Sequence, residues 1–168
     1  MKTAVITSES SINHLTGDGH PEQPKRIISI NNKLKKRKDI VWLKPEKVPE
    51  DILKMTHSEN YIYNIKRYFP KNGFRFLDGD TVISPGSKDA VFDAAGSVIK
   101  AIDEIEKNKI KNAFCAVRPP GHHAEKAKAM GFCVINQAGI ALNYLVKRHK
   151  YKRVACVDFD VHWGKWKL

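Results

Sequence analysis

The sequence predicts an α/β fold, an open, mostly parallel sheet with helices on both faces, and three observations carry the prediction. The segments "AFCAV" (113–117) and "RVACVDFDV" (153–161) are short continuous apolar runs of the kind that buried parallel strands show. A helical pattern separates them, so strand, loop, helix and strand make a βαβ unit. The two richest polar clusters, "RPPGHHAE" after Val117 and "DFDVHWG" closing the last run, fall beyond strand ends, where such sheets build their sites.

The elements follow in order. "TAVIT" (3–7) is a short β-branched strand, and "NHLTGDGHPEQPKR" (13–26), rich in Gly, Pro, Asp and His, is an ordered loop. After Pro24, Ile27, Ile30 and Leu34 recur at helical spacing, and Lys33, Lys35, Lys36, Arg37 and Lys38 crowd the end of that helix, where cations suit the dipole. "IVWL" (40–43) is a second strand. Residues 49–69 hold two short helices with Ser58 as an N-cap between them. "PKNGFRFLDGDTVISPGS" (70–87) is a long loop, a length that is uncommon unless functional. From Ser87, a good N-cap, Val91, Ala94, Ala95, Val98, Ile102 and Ile105 trace one face of a long helix ending near Lys109, and "NQAGIALNYLVKRHK" (136–150) is the helix of the βαβ unit.

The chain of 168 residues suits one domain, 1–168. Its composition, 42% hydrophobic and 29% charged, is globular, and no apolar run approaches the ~18 residues of a membrane span. The N-terminus lacks the basic region and apolar core of a signal peptide, so a cytoplasmic location and no membrane partner are expected. Cys115, Cys133 and Cys156 are odd in number, far apart and flanked by apolar residues, which favours buried free thiols. A net charge of +12 suits nucleic acid or anionic surfaces, and equally suits an imbalance left by a missing acidic half. The basic run at 33–38 is read as a solvated face, and aromatic residues are not interleaved with it, so nucleic acid is not the expected partner.

Asp160 and His162 stand two apart, so on a persisting strand they point to one side, with Asp158 one step earlier on that side. A carboxylate and an imidazole presented together suit zinc. Pro119, Pro120 and Gly121 form a turn that delivers His122 and His123 at a strand end. Neighbouring imidazoles suit proton transfer near neutral pH when their surroundings separate their proton affinities.

"RPPGHHA", "MGFCVINQAGIAL" and "VDFDVH", in this order and spacing, resemble the zinc-dependent deacetylase superfamily of histone deacetylases, acetylpolyamine deacetylases and acetoin-utilisation proteins. "HLTGDGHPEQPKRI" resembles the same family's opening and "LDGDTVISPGS" its second substrate loop, so the likeness runs from about Val5 to Gly164. The resemblance implies an arginase/deacetylase-like fold and hydrolysis of an acetylated lysine, polyamine or small acyl-amide. It makes Asp160 and His162 two of three Zn2+ ligands, with zinc activating a water. It makes His122 a buried imidazole held by Asp158, and His123 the general base and acid. Phe132, with Gly131 beside it, would line an acyl-lysine-like channel, and Asp80, ahead of Asp78, would orient the substrate at the rim. Backbone carbonyls around Asp158, Asp160 and His162 would hold a structural K+. Arg26 and His20 would pin the first loop, and Cys133 and Cys156 would be core.

The family pattern continues His-His-Gly-Asn/Asp-Gly, whereas Trp163 follows His162 here and Lys165 stands where a residue supporting the general base is usual. An ammonium there would disfavour protonated His123. The third ligand, an Asp, and the Tyr that polarises the carbonyl belong to a second half not present in this sequence. The expectation is a single incomplete domain, truncated and impaired as this chain, with its last strand short of neighbours and a separately encoded C-terminal half as the partner that would complete it. The alternatives are a non-catalytic remnant and a basic binding module. A binuclear manganese ureohydrolase would want an Asp where Gly164 stands.

Overall fold

The computed structural model describes residues 2–164. Strand β1 (Lys2–Ile6) lies between β2 (Ile40–Leu43) and β5 (Ile110–Cys115), parallel to both, in a three-stranded sheet of order β2-β1-β5. Alternation along β1 sends Val5 to one face and Ala4 and Ile6 to the other, and all three are buried. Helix α2 (Pro24–Leu34) covers the first face, where Ile27 packs on Val5 and Ala116, with Ile30 and Leu34 beside them. On the second face the long helix α5 (Ser87–Glu106) packs on β1 and β5. Its Val91, Ala95, Ile99 and Ile102 join the main core with α3 (Glu50–Leu53), α4 (Glu59–Tyr68) and α6 (Gln137–Lys147). Each fully buried Ile or Leu there, such as Leu53, Ile62 or Ile140, contributes about 1.5–3 kcal/mol.

The local signals hold where they are self-contained. Ser58 caps α4, its Oγ accepting from Tyr61 N at 3.3 Å, and Asn136 caps α6 by accepting from Gly139 N at 2.8 Å. Ser87 is not the cap of α5. Gly86 occupies that position, and the Ser87 hydroxyl, now the first helical residue's, accepts from Ser84 N at 2.7 Å. A four-residue helix α1 (Ser10–Asn13) occurs just before the opening loop. The long loop of 70–87 contains a small antiparallel pair, β3 (Arg75–Phe76) with β4 (Val82–Ile83). The Asp78 carboxylate closes the turn between them, accepting from Thr81 N at 2.6 Å and Asp80 N at 3.1 Å.

The expected last strand is not formed. Residues 153–161 carry no strand, and Val157, Phe159, Val161 and Trp163 are 82–97% exposed. A strand is held by a ladder partner and by burial of one face. Among the described residues neither reaches this segment, so the strand expected over 153–161 is absent. Cys156, read as core, is exposed for the same reason, whereas Cys133 is buried and Cys115 half-buried. No described helix is long and apolar enough to cross a membrane.

Candidate functional site

The site begins where β5 ends. The side chain of Arg118, three residues on, is fully buried, and its guanidinium grips both carboxylate oxygens of Glu22, Nε to Oε1 at 2.6 Å and Nη2 to Oε2 at 2.7 Å. A further bond runs from Nη1 to the Ser11 carbonyl at 2.6 Å. Arg26 adds a hydrogen bond to Glu22 at 2.9 Å, and His14 Nε2 lies 3.4 Å from the other oxygen. Burial alone would raise the Glu22 pKa. The hydrogen bonds of His14 and Arg118, the Arg118 charge and the bond from Arg26 outweigh it and hold the carboxyl well below its ordinary range. This network clamps the opening loop to the base of the 119–123 turn.

From that turn the two imidazoles project with ring centroids 4.1 Å apart. His122 Nδ1 meets Asp158 Oδ2 at 3.1 Å, which brings the 154–164 segment back over the turn. His122, expected as a buried imidazole, is half-buried, its side chain 18% exposed. Within the segment Asp160 N donates to Asp158 Oδ1 (3.1 Å), His162 N to Asp160 Oδ1 (2.8 Å) and Gly164 N to Asp158 Oδ2 (3.0 Å). His162 lies 6.5 Å from His123, ring to ring, and is 80% exposed. Desolvation, then the neighbouring His122, push the pKa of His123 down, against the pull of Asp160. The Asp158 and Asp160 carboxyls are lowered: burial opposes the shift at Asp158, where backbone amides and His122 prevail, while at Asp160 the His162 amide dominates.

His122, His123, Asp160 and His162 line one open cavity of about 410 Å³ together with Asp80, Gly131 and Phe132. Gly131 has φ +56°, and a Cβ there would lie 2.7 Å from His123 Cδ2, so the absence of a side chain lets the loop rest against the imidazole. Phe132 is fixed from two sides: its amide donates to Thr81 Oγ1 at 3.0 Å, and its ring meets His20 edge-on with centroids 4.9 Å apart. His20 in turn bridges the rim, with Nε2 3.0 Å from the Asp80 carbonyl. Every sequence-nominated site residue, His122, His123, Asp158, Asp160, His162, Asp80, Gly131 and Phe132, is thus at or beside one cavity. Asp78 serves the β3–β4 turn instead.

The donor types fit zinc, a carboxylate from Asp160 and an imidazole from His162. Among the described residues no group of three His, Cys, Asp or Glu side chains is arranged to hold a metal ion, so they offer two of the three ligands a catalytic zinc takes. For K+, nothing in the backbone of 158–164 supports a carbonyl cradle; its described contacts are amides turned onto aspartates. Lys165 lies outside the described residues. Sequence reasoning gave no role to Arg118, Glu22 or His14. A charged residue directly before Pro-Pro at a strand end was the available signal, but its partner stands 96 positions away.

A model of the histone deacetylase domain matches residues 20–165. The chain is 35% identical to an uncharacterized protein of Synechocystis sp., over 96% of this chain and 54% of that one. It is 33% identical to a probable deacetylase of Archaeoglobus fulgidus (98% and 46%) and 32% identical to histone deacetylase 5 of Arabidopsis thaliana (97% and 27%). The crystal structure of the HDA15 HD domain superposes with a TM-score of 0.77 at 28% identity, covering 89% of this chain and 44% of that one. The chain spans about half the length, or less, of the curated relatives it matches.

Proposed function

Because this chain belongs to the histone deacetylase family, we propose that its cavity serves hydrolysis of an acyl-amide, an acetylated lysine, polyamine or small amine, to a carboxylate and a free amine. One observation carries the reading: adjacent imidazoles, one paired with Asp158, face the Asp160–His162 pair across a single cavity. Asp160 and His162 would hold zinc, which when bound supplies Lewis-acid polarisation of the acyl carbonyl. His123, kept largely neutral at pH 7 by its lowered pKa, accepts a proton from the attacking water as oxygen adds to the carbonyl carbon. The same imidazole returns that proton to the amine nitrogen as the C–N bond breaks. His122, hydrogen-bonded to Asp158, packs against His123, while the Asp160 and Asp158 carboxylates favour the charge that forms on His123. Phe132 and Gly131 offer an apolar wall for an acyl chain, and the Asp80 carboxylate accepts from a substrate N–H at the rim.

Turnover is proposed for the site once a third protein ligand completes it, supplied by the part of the relatives' length that this chain does not span. A chimera joining residues 1–164 to the remaining length of the Archaeoglobus relative tests this. It should hydrolyse an acetyl-lysine peptide or an acetylpolyamine, and His123→Ala should abolish turnover while leaving zinc uptake intact. The chain itself should take up zinc weakly, and His162→Ala should remove that uptake. A folded chimera without turnover would favour the second reading, a non-catalytic chain, for which the two-ligand donor set speaks.

A further inference from the structure

The cavity occupies one end of the sheet, and the opposite end has a chemistry of its own. In parallel sheets with crossover helices, helix C-termini and strand beginnings share one end. Here Lys2 stands opposite Ile110 and Thr3 opposite Ile40, so β1, β2 and β5 begin together. Helix α2 enters β2 through 35–39, and α5 enters β5 through 107–109. The end of α6 is tied to the same corner, Tyr144 Oη donating to Asp103 at 3.0 Å and Tyr151 Oη to Glu106 at 2.7 Å.

That end is strongly and unevenly charged. The α2 side supplies Lys33, Lys35, Lys36 and Lys38, and the strand beginnings supply Lys2 and Lys111. The α6 side supplies Arg148, Lys150, Lys152 and Arg153. All are exposed, and among the described residues none has a carboxylate within ion-pair distance. The acids of this end are already engaged: Asp39 by Arg37, Asp103 by Lys107 and His149, Glu104 by Lys100 and Lys109, and Glu106 by Tyr151 and His149. The helix dipole explains a cation in a last turn, such as Lys33, but its effect fades within that turn. Lys35, Lys36 and Lys38, with Lys150, Lys152 and Arg153, lie beyond it, so they repel one another with no carboxylate at ion-pair distance among the described residues.

We propose that this end of the sheet, remote from the cavity, is a docking face for double-stranded DNA. The run at 33–38, a solvated face when read alone, is one flank of a surface that only the parallel topology assembles. With a helix layer on each face of the sheet, three layers of about 10 Å each make this end on the order of 30 Å across. A duplex lying across it offers one charge per about 1.7 Å of axis. Tyr151 presents an exposed ring at this end with its Oη held by Glu106, but a single ring gives no run of stacked bases, which disfavours a single strand. Ammonium and guanidinium groups meet phosphates rather than base edges or 2′-hydroxyls, so binding is sequence-independent and duplex RNA gains nothing extra.

The test is fluorescence anisotropy of the chain with a labelled DNA duplex across a salt series. The expected log affinity falls against log salt with a slope of about −4 to −6, as for five or so phosphates. K35E/K36E/K38E and R148E/K150E/K152E, each at exposed positions and checked for native circular dichroism, should each weaken binding at least about tenfold at low salt. K25E/K126E/K128E, an equal charge change toward the other end, should alter it less than about threefold. No binding by the parent chain, or an equal loss in the third variant, overturns the face. Tighter binding to duplex RNA or to phosphatidylserine vesicles than to DNA overturns the partner. The proposal stands apart from the hydrolytic reading, and its outcome does not depend on turnover.

Discussion

Removing the buried guanidinium by Arg118→Met tests the clamp beneath the site. Arg118 is fully buried and makes two carboxylate bonds to Glu22 and one to the Ser11 carbonyl, so the substitution strands a buried carboxylate and an acceptor. Breaking such a pair costs about 3–5 kcal/mol. Arg26 and His14 still reach Glu22, which puts the expected loss at the lower end, about 3 kcal/mol. With a urea m-value near 2 kcal/mol/M, the midpoint of urea unfolding should fall by about 1.5 M. Glu22→Leu/Arg118→Met, which removes both charges, should recover about half of the loss, because an apolar pair of similar volume needs no compensation. The pH dependence carries a signature as well. The folded Glu22 pKa lies below its unfolded value, so its stabilisation is complete above about pH 4.3 and is lost as pH falls through that value towards the folded one. Arg118→Met raises the folded value and flattens that acid limb. A single-variant loss under about 1 kcal/mol, or a coupling between the two positions under about 0.5 kcal/mol, would refute the clamp.

His57 is buried, its Nε2 accepts from Asn136 N at 2.9 Å, and burial pushes its pKa down to about 4. Since the unfolded chain binds that proton first, His57 should cost up to about 1.4 kcal/mol of stability per pH unit as pH falls from 6.5 to 4; His57→Gln should remove that slope in urea titrations, and an unchanged slope would count against the assignment. Gly131→Ala should destabilise by about 1–2 kcal/mol from the positive φ and displace His123, read as shifted imidazole resonances; unmoved resonances would contradict the close approach. Phe159, 97% exposed, should tolerate Ser with a stability change under about 0.5 kcal/mol and lower binding of a hydrophobic dye; a larger loss would mean that the ring is covered in solution.

What the sequence disclosed was whatever short-range patterning decides. Helix α4 announces itself through its cap Ser58 and α5 through its apolar face, because cap and periodicity are local signals. Of the cavity residues, His122, His123, Asp160 and His162 were legible as polar clusters beyond strand ends, whereas Asp80, Gly131 and Phe132 were implied only by the family resemblance. Residues 153–161 have strand composition but no strand, since pairing is decided by neighbours and not by the segment. The Glu22–Arg118 clamp and the basic end were illegible for a related reason: each joins residues brought together only by the order β2-β1-β5 and its crossovers.

The His122–Asp158 contact means that this site is a population as well as a shape. Among the described residues it is the one hydrogen bond that ties 154–164 to the rest of the chain, and both side chains keep about a fifth of their surface in water. A pair so placed is worth about 0–1 kcal/mol, which sets docked against undocked segments between roughly 1:1 and 5:1. Any ligand that must touch both walls binds the docked fraction only, and its apparent affinity is diluted in that proportion. Whatever bridges the two walls, an ion held by Asp160 and His162 or a substrate lying against His123, therefore completes the assembly of the site that receives it.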